Sequence, residues 1–358
     1  MDDERFARLV ARFEAAPGAG GKPLQMHSLL VDQGEDQWVH RFSGHAGPSD
    51  IRSLSKTVLT LIAGTLAAND PDFGLETPVW DLIEPAVLRA GDGSKADDSS
   101  GPAAGNNLEA GQNLERWKKV RVKHLLNHTT GFDRVLMMRG DIKDLDPSRH
   151  LDYVVSAPLV YEPGEHYLYS NAGFYLLSAA LEHYLASQAS VAGRPGQDMG
   201  AARESALERY ARHAFFEPLG IEDWDWEKYG DYLAGATRLW MNPEDVAKVG
   251  KLLLGEGKTP TGAPAAGTQL VEKSWIDHMR TPSKLTPWVE RAENERFRRH
   301  AYGAGLWLGA EEDIFFGNGT AGQTLLVVPS SNAVVVTLAN EGDVAPLERL
   351  VEEVVQSL

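Results

Sequence analysis

The spacing of hydrophobic and polar residues predicts strands near both ends of the chain. Residues 26–42 alternate apolar and polar side chains around a turn at 33–36, a pattern typical of two strands joined by a tight turn. Apolar runs near the C-terminus predict four more strands, at 305–308, 313–316, 324–328 and 333–338. We therefore expect one sheet that is assembled from both ends of the chain.

Between these strands the apolar residues recur at helical spacing. Phe6, Leu9, Val10 and Phe13 predict an amphipathic helix at the start of the chain, and the apolar face of residues 53–68 predicts a helix in the core. Further helices are predicted at 174–185, 243–254 and 345–356.

This order of elements predicts two structural units. We expect an α/β domain formed by residues 1–80 and 270–358, into which an all-α domain, residues 81–269, is inserted. Residues 91–112 hold one large apolar side chain, Leu108. Because so few apolar groups cannot offset the entropy of ordering, we expect a mobile surface insertion there, serving as a lid or as an ornament.

Composition narrows the possible chemistry. The 358 residues include no cysteine, which excludes disulfides, thiolate metal sites and a cysteine nucleophile, so covalent catalysis would use oxygen or nitrogen. The formal net charge is −16, and such an acidic surface repels phosphate backbones and anionic lipid. We expect neither nucleic acid nor a membrane as a partner. The basic stretch 291–300 is interrupted by Glu293 and Glu295 and fits a solvated face.

The N-terminal segment bears on location. Residues 1–13 lack both a basic beginning and a long apolar core, so they resemble neither a secretion signal nor a transmembrane span. We expect a cytoplasmic protein.

Several familiar motifs fail on their context. A GxGxxG pattern at 317–322 is followed by a predicted strand, whereas a dinucleotide fingerprint must open a helix. His124 and His128 share a helix face, but the glutamate of a zinc hydrolase is missing between them, and buried capping histidines are the commoner explanation of such a pair. No GxSxG elbow occurs. We expect no cofactor and no metal.

A Ser-x-x-Lys motif at Ser53 and Lys56 carries more information because it falls where a loop turns into the predicted core helix. The i, i+3 spacing places the lysine amine on the serine's face. The helix dipole favours an alkoxide there, and a desolvated lysine can accept the serine proton. Taken alone, the motif also fits Ser53 as a helix cap and Lys56 as a surface residue.

Two further pieces favour the catalytic interpretation. Tyr169 and Asn171 stand two apart at a loop-to-helix junction, where a phenol can shuttle a proton and an amide can orient a carbonyl. They also fit a packing residue and a helix cap. Gly317 and Gly319 fall between two predicted strands, where glycine lets backbone approach a ligand, and the N–H of Thr320 is a candidate oxyanion donor.

Together these motifs resemble the serine β-lactamase and penicillin-binding-protein superfamily, whose SxxK, Tyr-x-Asn and Lys-Thr-Gly-like motifs occur in this order. The chain is similar to the class C branch, which includes family VIII carboxylesterases and 6-aminohexanoate-oligomer hydrolases. The similarity extends over the segments 75–79, 122–131, 169–173, 218–220 and 325–338.

The resemblance implies a β-lactamase-like fold, with an antiparallel sheet flanked by helices, an inserted helical domain and an active site at the domain junction. It implies that Ser53 is the nucleophile, Lys56 the general base and Tyr169 the acid/base partner. Asn171 would orient the substrate, and the amides of Ser53 and Thr320 would bind the oxyanion.

One departure from the family pattern concerns the substrate. Gly317 stands where β-lactamases carry lysine and many esterases histidine, a cation that helps to anchor a substrate carboxylate. We expect β-lactamase activity to be weak or absent. Residues 319–323, which begin with Gly319, are more similar to the amide and ester hydrolases of the branch.

The resulting hypothesis is a serine hydrolase for a small ester or amide that forms an acyl-enzyme on Ser53. An acyltransferase that uses an amine or alcohol in place of water would need the same residues. A non-catalytic binding protein on this fold is a third possibility, although it would not need Ser53, Lys56, Tyr169 and Asn171 together.

Overall fold

The computed structural model describes residues 1–42, 44–83, 107–191, 204–283, 286, 301–309 and 314–358. Residues 91–106 of the predicted insertion, the basic stretch 291–300 and residue 313 lie outside them. Residues 107–112 begin a helix, so the expectation of an insertion without regular structure is wrong for that part.

The structure contains short and long helices and mostly short strands. The helices are α1 (Asp3–Ala15), α2 (Ser55–Asn69), α3 (Asn107–Trp117), α4 (Val122–Leu126), α5 (Arg139–Ile142), α6 (His150–Ser156), α7 (Ala172–Val191), α8 (Ala206–Tyr210), α9 (Glu217–Leu219), α10 (Pro243–Leu254), α11 (Lys273–Met279) and α12 (Ala345–Ser357). The strands are β1 (Met26–Gln33), β2 (Asp36–Arg41), β3 (Ser49–Asp50), β4 (Trp224–Trp226), β5 (Lys228–Tyr229), β6 (Tyr232–Leu233), β7 (Leu239–Met241), β8 (Ala301–Tyr302), β9 (Trp307–Leu308), β10 (Phe315–Gly319), β11 (Gln323–Val328) and β12 (Ala333–Ala339).

Strands from both ends of the chain form one antiparallel sheet of seven strands, in the order β2-β1-β12-β11-β10-β9-β8. This confirms the predicted sheet. The β1–β2 hairpin turns through Gly34 at φ +69°, a left-handed conformation that glycine adopts without strain.

Helices cover both faces of this sheet, as predicted. The apolar stripe of α1 packs with α12 against Leu29 and Val335 on one face. On the other face α10 approaches closely at Gly250, where an added Cβ would lie 2.5 Å from Val334 and 2.7 Å from Leu325. Because β11 and β12 are buried on both faces, their sequences are continuous apolar runs despite the antiparallel pairing.

The middle of the chain contains strands that the sequence patterns did not indicate. β3, β7 and β4 form a three-stranded sheet, and β5 pairs with β6. The prediction of an all-α domain at 81–269 is wrong for β4 to β7, which fall inside that range, because strands of two or three residues are too short to show an alternating pattern.

The described chain divides into two compact units. The first comprises Met1–Leu61, Phe216–Trp226 and Thr237–Leu358, and the second comprises Ile62–Phe215 and Glu227–Ala236. Residues 237–269 thus fall in the unit of the large sheet, whereas the sequence patterns grouped them with the helical domain. Among the described helices, none combines the length and apolar character that crossing a membrane requires.

Candidate active site

The first unit brings Ser53 and Lys56 together. Lys56 Nζ donates a hydrogen bond to Ser53 Oγ at 3.1 Å. The lysine is 1% exposed, and burial lowers its pKa from the ordinary 10.5 to about 7. Since the charged form of a buried amine is disfavoured, a large fraction of Lys56 is neutral near pH 7 and able to accept a proton.

Ser53 lies in a 3-10 turn, Arg52–Leu54, two residues before α2 begins at Ser55. The preceding residue, Arg52, has φ +54°, which costs a non-glycine residue about 1–2 kcal/mol. Asp50 Oδ1 accepts the Arg52 backbone N–H at 2.9 Å and so holds this conformation. We call residues 50–54 the Ser53 turn.

Strand β10 passes directly beside the Ser53 turn, and its glycines permit the approach. A Cβ on Gly319 would lie 2.5 Å from the Ile51 carbonyl oxygen and 2.8 Å from Arg52 Cβ. A Cβ on Gly317 would lie 2.7 Å from Thr57 Oγ1. A side chain at position 319 would displace the backbone of the turn, and one at position 317 would displace the Thr57 side chain, so the glycines serve the close packing.

The glycines belong to the strand itself, since Gly317 pairs with Leu325 and Gly319 with Gln323. The prediction that they lie between two strands was wrong, because glycine has little strand propensity and masks the pattern. Thr320 follows in the turn and is exposed. Buried Gln323 braces this turn by accepting the Ala339 N–H at 3.2 Å and donating to the Thr320 carbonyl at 3.3 Å.

In the second unit, Tyr169 is held by a histidine. The ring of His128 packs on the ring of Tyr169, with centroids 4.4 Å apart and planes inclined by 46°. His128 Nδ1 accepts the Ser170 N–H at 3.4 Å, and the His128 carbonyl accepts the Leu168 N–H at 2.9 Å. Both neighbours of Tyr169 are therefore bonded to His128, which restricts where the phenol can lie.

Asn171 immediately precedes α7, and its carbonyl accepts the Tyr175 N–H at 3.0 Å. Its side-chain Nδ2 donates a hydrogen bond to the Met137 carbonyl at 3.0 Å. Met137 is buried and has φ +62°, while Met138 beside it is 49% exposed. The amide is thus fixed next to an exposed apolar side chain.

The two histidines that the sequence placed on one helix face have separate structural roles. His124 Nδ1 accepts the Arg121 N–H at 3.1 Å and thereby caps α4, and burial lowers the pKa of His124 to about 4. His128 follows the helix and contacts Tyr169. In the ranges that the structure describes, no group of three or more histidine and carboxylate side chains is arranged to hold a metal ion.

Two charged residues of the Ser53 turn were not singled out from the sequence. Asp50 Oδ2 lies 3.3 Å from Arg52 Nε and 3.4 Å from Arg238 Nη1, and the Asp50 side chain is 9% exposed. The only signal in the sequence was the position of Arg52 next to Ser53. The sequence indicated His128 only as a metal ligand or a helix cap. Its contact with Tyr169 was missed because the two residues meet only in the folded chain.

Comparisons with known proteins identify the architecture. A family model described as Beta-lactamase matches residues 47–356. No curated protein sequence gives a match. Among solved structures, a D-stereospecific amidohydrolase from Streptomyces sp. is 16% identical with a TM-score of 0.62, and the alignment covers 97% of each chain.

Two further structures show the same fold at similarly low identity. The octameric penicillin-binding protein homologue from Pyrococcus abyssi is 18% identical with a TM-score of 0.62, and the alignment covers all of this chain and 77% of that one. EstCE1, described as a hydrolase with promiscuous acyltransferase activity, is 15% identical with a TM-score of 0.60, and coverage is 97% and 98%.

Proposed function

The chain belongs to the Beta-lactamase family, and from this premise we propose that it is a serine hydrolase that cleaves a small ester or amide through an acyl-enzyme on Ser53. The observation that carries the proposal is the hydrogen bond of 3.1 Å between Ser53 Oγ and the buried Lys56 amine, whose pKa is about 7. A hydroxyl is a weak nucleophile unless a base takes its proton, and this lysine is placed to do so.

The reaction proceeds in two steps. Ser53 Oγ attacks the carbonyl carbon while its proton passes to Lys56 Nζ, and the carbonyl oxygen becomes an oxyanion. When the carbonyl reforms, the bond to the leaving alcohol or amine breaks, and the leaving group takes up the proton that Lys56 held, so the amine is neutral again. Water then attacks the acyl-enzyme and gives one proton to Lys56. When the bond between the acyl carbon and Ser53 Oγ breaks, that proton passes to Ser53 Oγ, and the carboxylic acid is released.

Other residues contribute according to their motifs. We assign the exchange of protons with the leaving group to Tyr169, supported by its confinement between the His128 contacts. Asn171 orients the substrate carbonyl or its neighbouring amide, and the backbone N–H groups of Ser53 and Thr320 bind the oxyanion. Gly319 has no side chain, which leaves room for the backbone of the Ser53 turn at Ile51.

Weak or absent β-lactamase activity is part of the proposal. Gly317 supplies no cation, and a side chain there would meet Thr57 Oγ1 within 2.7 Å of its Cβ. A lysine at this position would therefore require the Thr57 side chain to move.

Acyl transfer is the alternative outcome of the same acyl-enzyme, in which an amine or alcohol attacks in place of water. It draws support from EstCE1, a structural relative described as a hydrolase with promiscuous acyltransferase activity. A non-catalytic binding role is disfavoured because it gives no reason to bury a lysine beside a serine hydroxyl.

The test compares wild type with Ser53→Ala on p-nitrophenyl butyrate, butyryl p-nitroanilide and a chromogenic cephalosporin, each with and without an added primary amine. Loss of the nucleophile should lower ester or anilide turnover on the order of 10³-fold. Amide product formed from the added amine would favour acyl transfer. A fluorophosphonate probe should add its mass to the peptide that contains Ser53, and equal rates in both proteins would refute the assignment.

A further inference from the structure

The residue that precedes the nucleophile presents a guanidinium group with unused hydrogen-bond donors. Arg52 Nε faces Asp50 Oδ2 at 3.3 Å, and the Arg52 backbone N–H bonds to Asp50 Oδ1. Within the described parts of the chain, Nη1 and Nη2 of Arg52 have no hydrogen-bond partner.

The free end of Arg52 is accessible. Its side chain is 35% exposed, although its Nε is fully buried. The exposed area therefore lies on other atoms of the side chain. Arg52 directly precedes Ser53 in the sequence, and the Cα atoms of consecutive residues are about 3.8 Å apart. The Arg52 side chain therefore starts next to the proposed nucleophile.

Arg52 shares its carboxylate partner with a second cation. Arg52 Nε lies 3.3 Å and Arg238 Nη1 3.4 Å from Asp50 Oδ2, so the one negative charge of Asp50 is divided between two guanidinium groups. Burial, with a smaller contribution from the charge of Arg52, lowers the pKa of His27 to about 4. His27 is consequently neutral at pH 7 and adds no charge beside Arg52.

The backbone supports the same interpretation. Arg52 holds φ +54°, a region that asparagine or glycine occupies with less strain, and residues held in such conformations cluster at functional sites. Gly319 leaves room for the Arg52 side chain, because a Cβ on residue 319 would lie 2.8 Å from Arg52 Cβ.

We propose that Arg52 is a specificity residue that binds a carboxylate on the substrate, close to the bond that Ser53 attacks. The two terminal nitrogens of a guanidinium pair with the two oxygens of a carboxylate in a bidentate manner. The chain would thus supply from the Ser53 turn the cation that is missing at Gly317. This inference rests on the proposed hydrolase function and names its substrate class, an ester or amide that carries a carboxylate.

The test uses two pairs of esters that differ only in charge. In the first pair the acyl group carries a carboxylate or its amide, as p-nitrophenyl hemisuccinate and p-nitrophenyl succinamate. In the second pair the leaving group carries it, as the butyrate esters of 4-hydroxybenzoate and 4-hydroxybenzamide. The readout is the ratio of kcat/KM for the charged and neutral members, after subtraction of spontaneous hydrolysis.

In at least one pair, wild type should favour the charged ester, and Arg52→Asn should lower the ratio by about tenfold or more, as expected for loss of a hydrogen bond between charged groups. Asparagine is chosen because it tolerates the positive φ. Arg52→Lys should restore part of the ratio. Arg41→Gln, which removes an exposed ion pair with Glu244, is the matched control and should leave the ratio as in wild type.

A second measurement does not depend on any variant folding. The preference of wild type for the charged ester should shrink when sodium chloride is raised from about 20 to about 500 mM, because salt screens an exposed ion pair. Equal ratios in wild type and a folded Arg52→Asn, or a wild-type ratio of one or less in both pairs, would overturn the proposal.

Failure of the broader proposal is distinguishable. If Ser53→Ala hydrolyses the neutral esters as fast as wild type does, the hydrolase assignment itself is wrong. If neutral hydrolysis depends on Ser53 but the charge ratio does not depend on Arg52, only the carboxylate site is wrong.

Discussion

Lys56 reaches Ser53 across 3.1 Å from a position where its own side chain is 1% exposed. Two properties follow from that one arrangement. With a pKa of about 7, a large fraction of the amine is neutral near pH 7, and the folded protein must tolerate a buried amine. The first property concerns catalysis and the second stability, and they are measurable separately.

The pH dependence of hydrolysis should report on Lys56. Because the neutral amine is the base, kcat/KM for p-nitrophenyl butyrate should rise with pH through about 7, the pKa of Lys56, and level off above it. Lys56→Met should lower the rate on the order of 10³-fold. A wild-type profile that is flat between pH 6 and 8 (about one unit either side) would contradict this role.

The same residue should lower stability. The pKa of Lys56 is about 7 in the folded state against 10.5 ordinarily, so between these values the unfolded chain binds more protons and stability rises with pH. Lys56→Met should raise the free energy of unfolding by about 1–2 kcal/mol near neutral pH, and its advantage should shrink as pH approaches the ordinary value. Urea denaturation of both proteins at several pH values measures this, and an advantage that grows with pH would contradict it.

Tyr169 should affect the chemical step more than binding. We expect Tyr169→Phe to lower kcat for the anilide about 10²-fold or more, the usual contribution of a positioned proton donor, with little change in KM. The ring contact with His128 is kept by phenylalanine, so thermal stability should change little. Unchanged kcat in this variant would remove Tyr169 from the proposed mechanism.

The contact between Gly319 and the Ser53 turn should be intolerant of a methyl group. Gly319→Ala would set a Cβ 2.5 Å from the Ile51 carbonyl oxygen, and relief of such overpacking costs about 1–3 kcal/mol. We expect lower thermal stability and a larger loss of esterase activity. Gly140→Ala is the control, since nothing lies within 4 Å of its Cβ, and equal behaviour of the two variants would show that the contact is unimportant.

The long elements were accessible from sequence because their patterns are local. The apolar stripe of α1 and the runs of β11 and β12 reflect burial of each element along its own length. Ser53 and Lys56 lie one helical turn apart, so their proximity also follows from spacing. These features needed no knowledge of distant residues.

The features that the sequence did not predict depend on contacts between segments that are distant along the chain. The packing of His128 on Tyr169 joins positions 41 residues apart, and the extension of β10 through Gly317 depends on its pairing with β11, where Gly317 lies opposite Leu325. The importance of Arg52 depends on its φ angle and its unused donors, neither of which a sequence displays.

The pairing of β1 with β12 constrains the order in which the first unit can form. The register joins Met26 to Ala339, so β1 can pair early with β2 in the hairpin but finds its second partner only after residues up to Ala339 have been synthesised. Closing a loop of this length delays folding. Since β10 belongs to the same sheet and lies against the Ser53 turn, an incomplete chain would hold Ser53 and Lys56 without the strand beside them. Hydrolytic activity would thus arise late, as a sign that the sheet has closed.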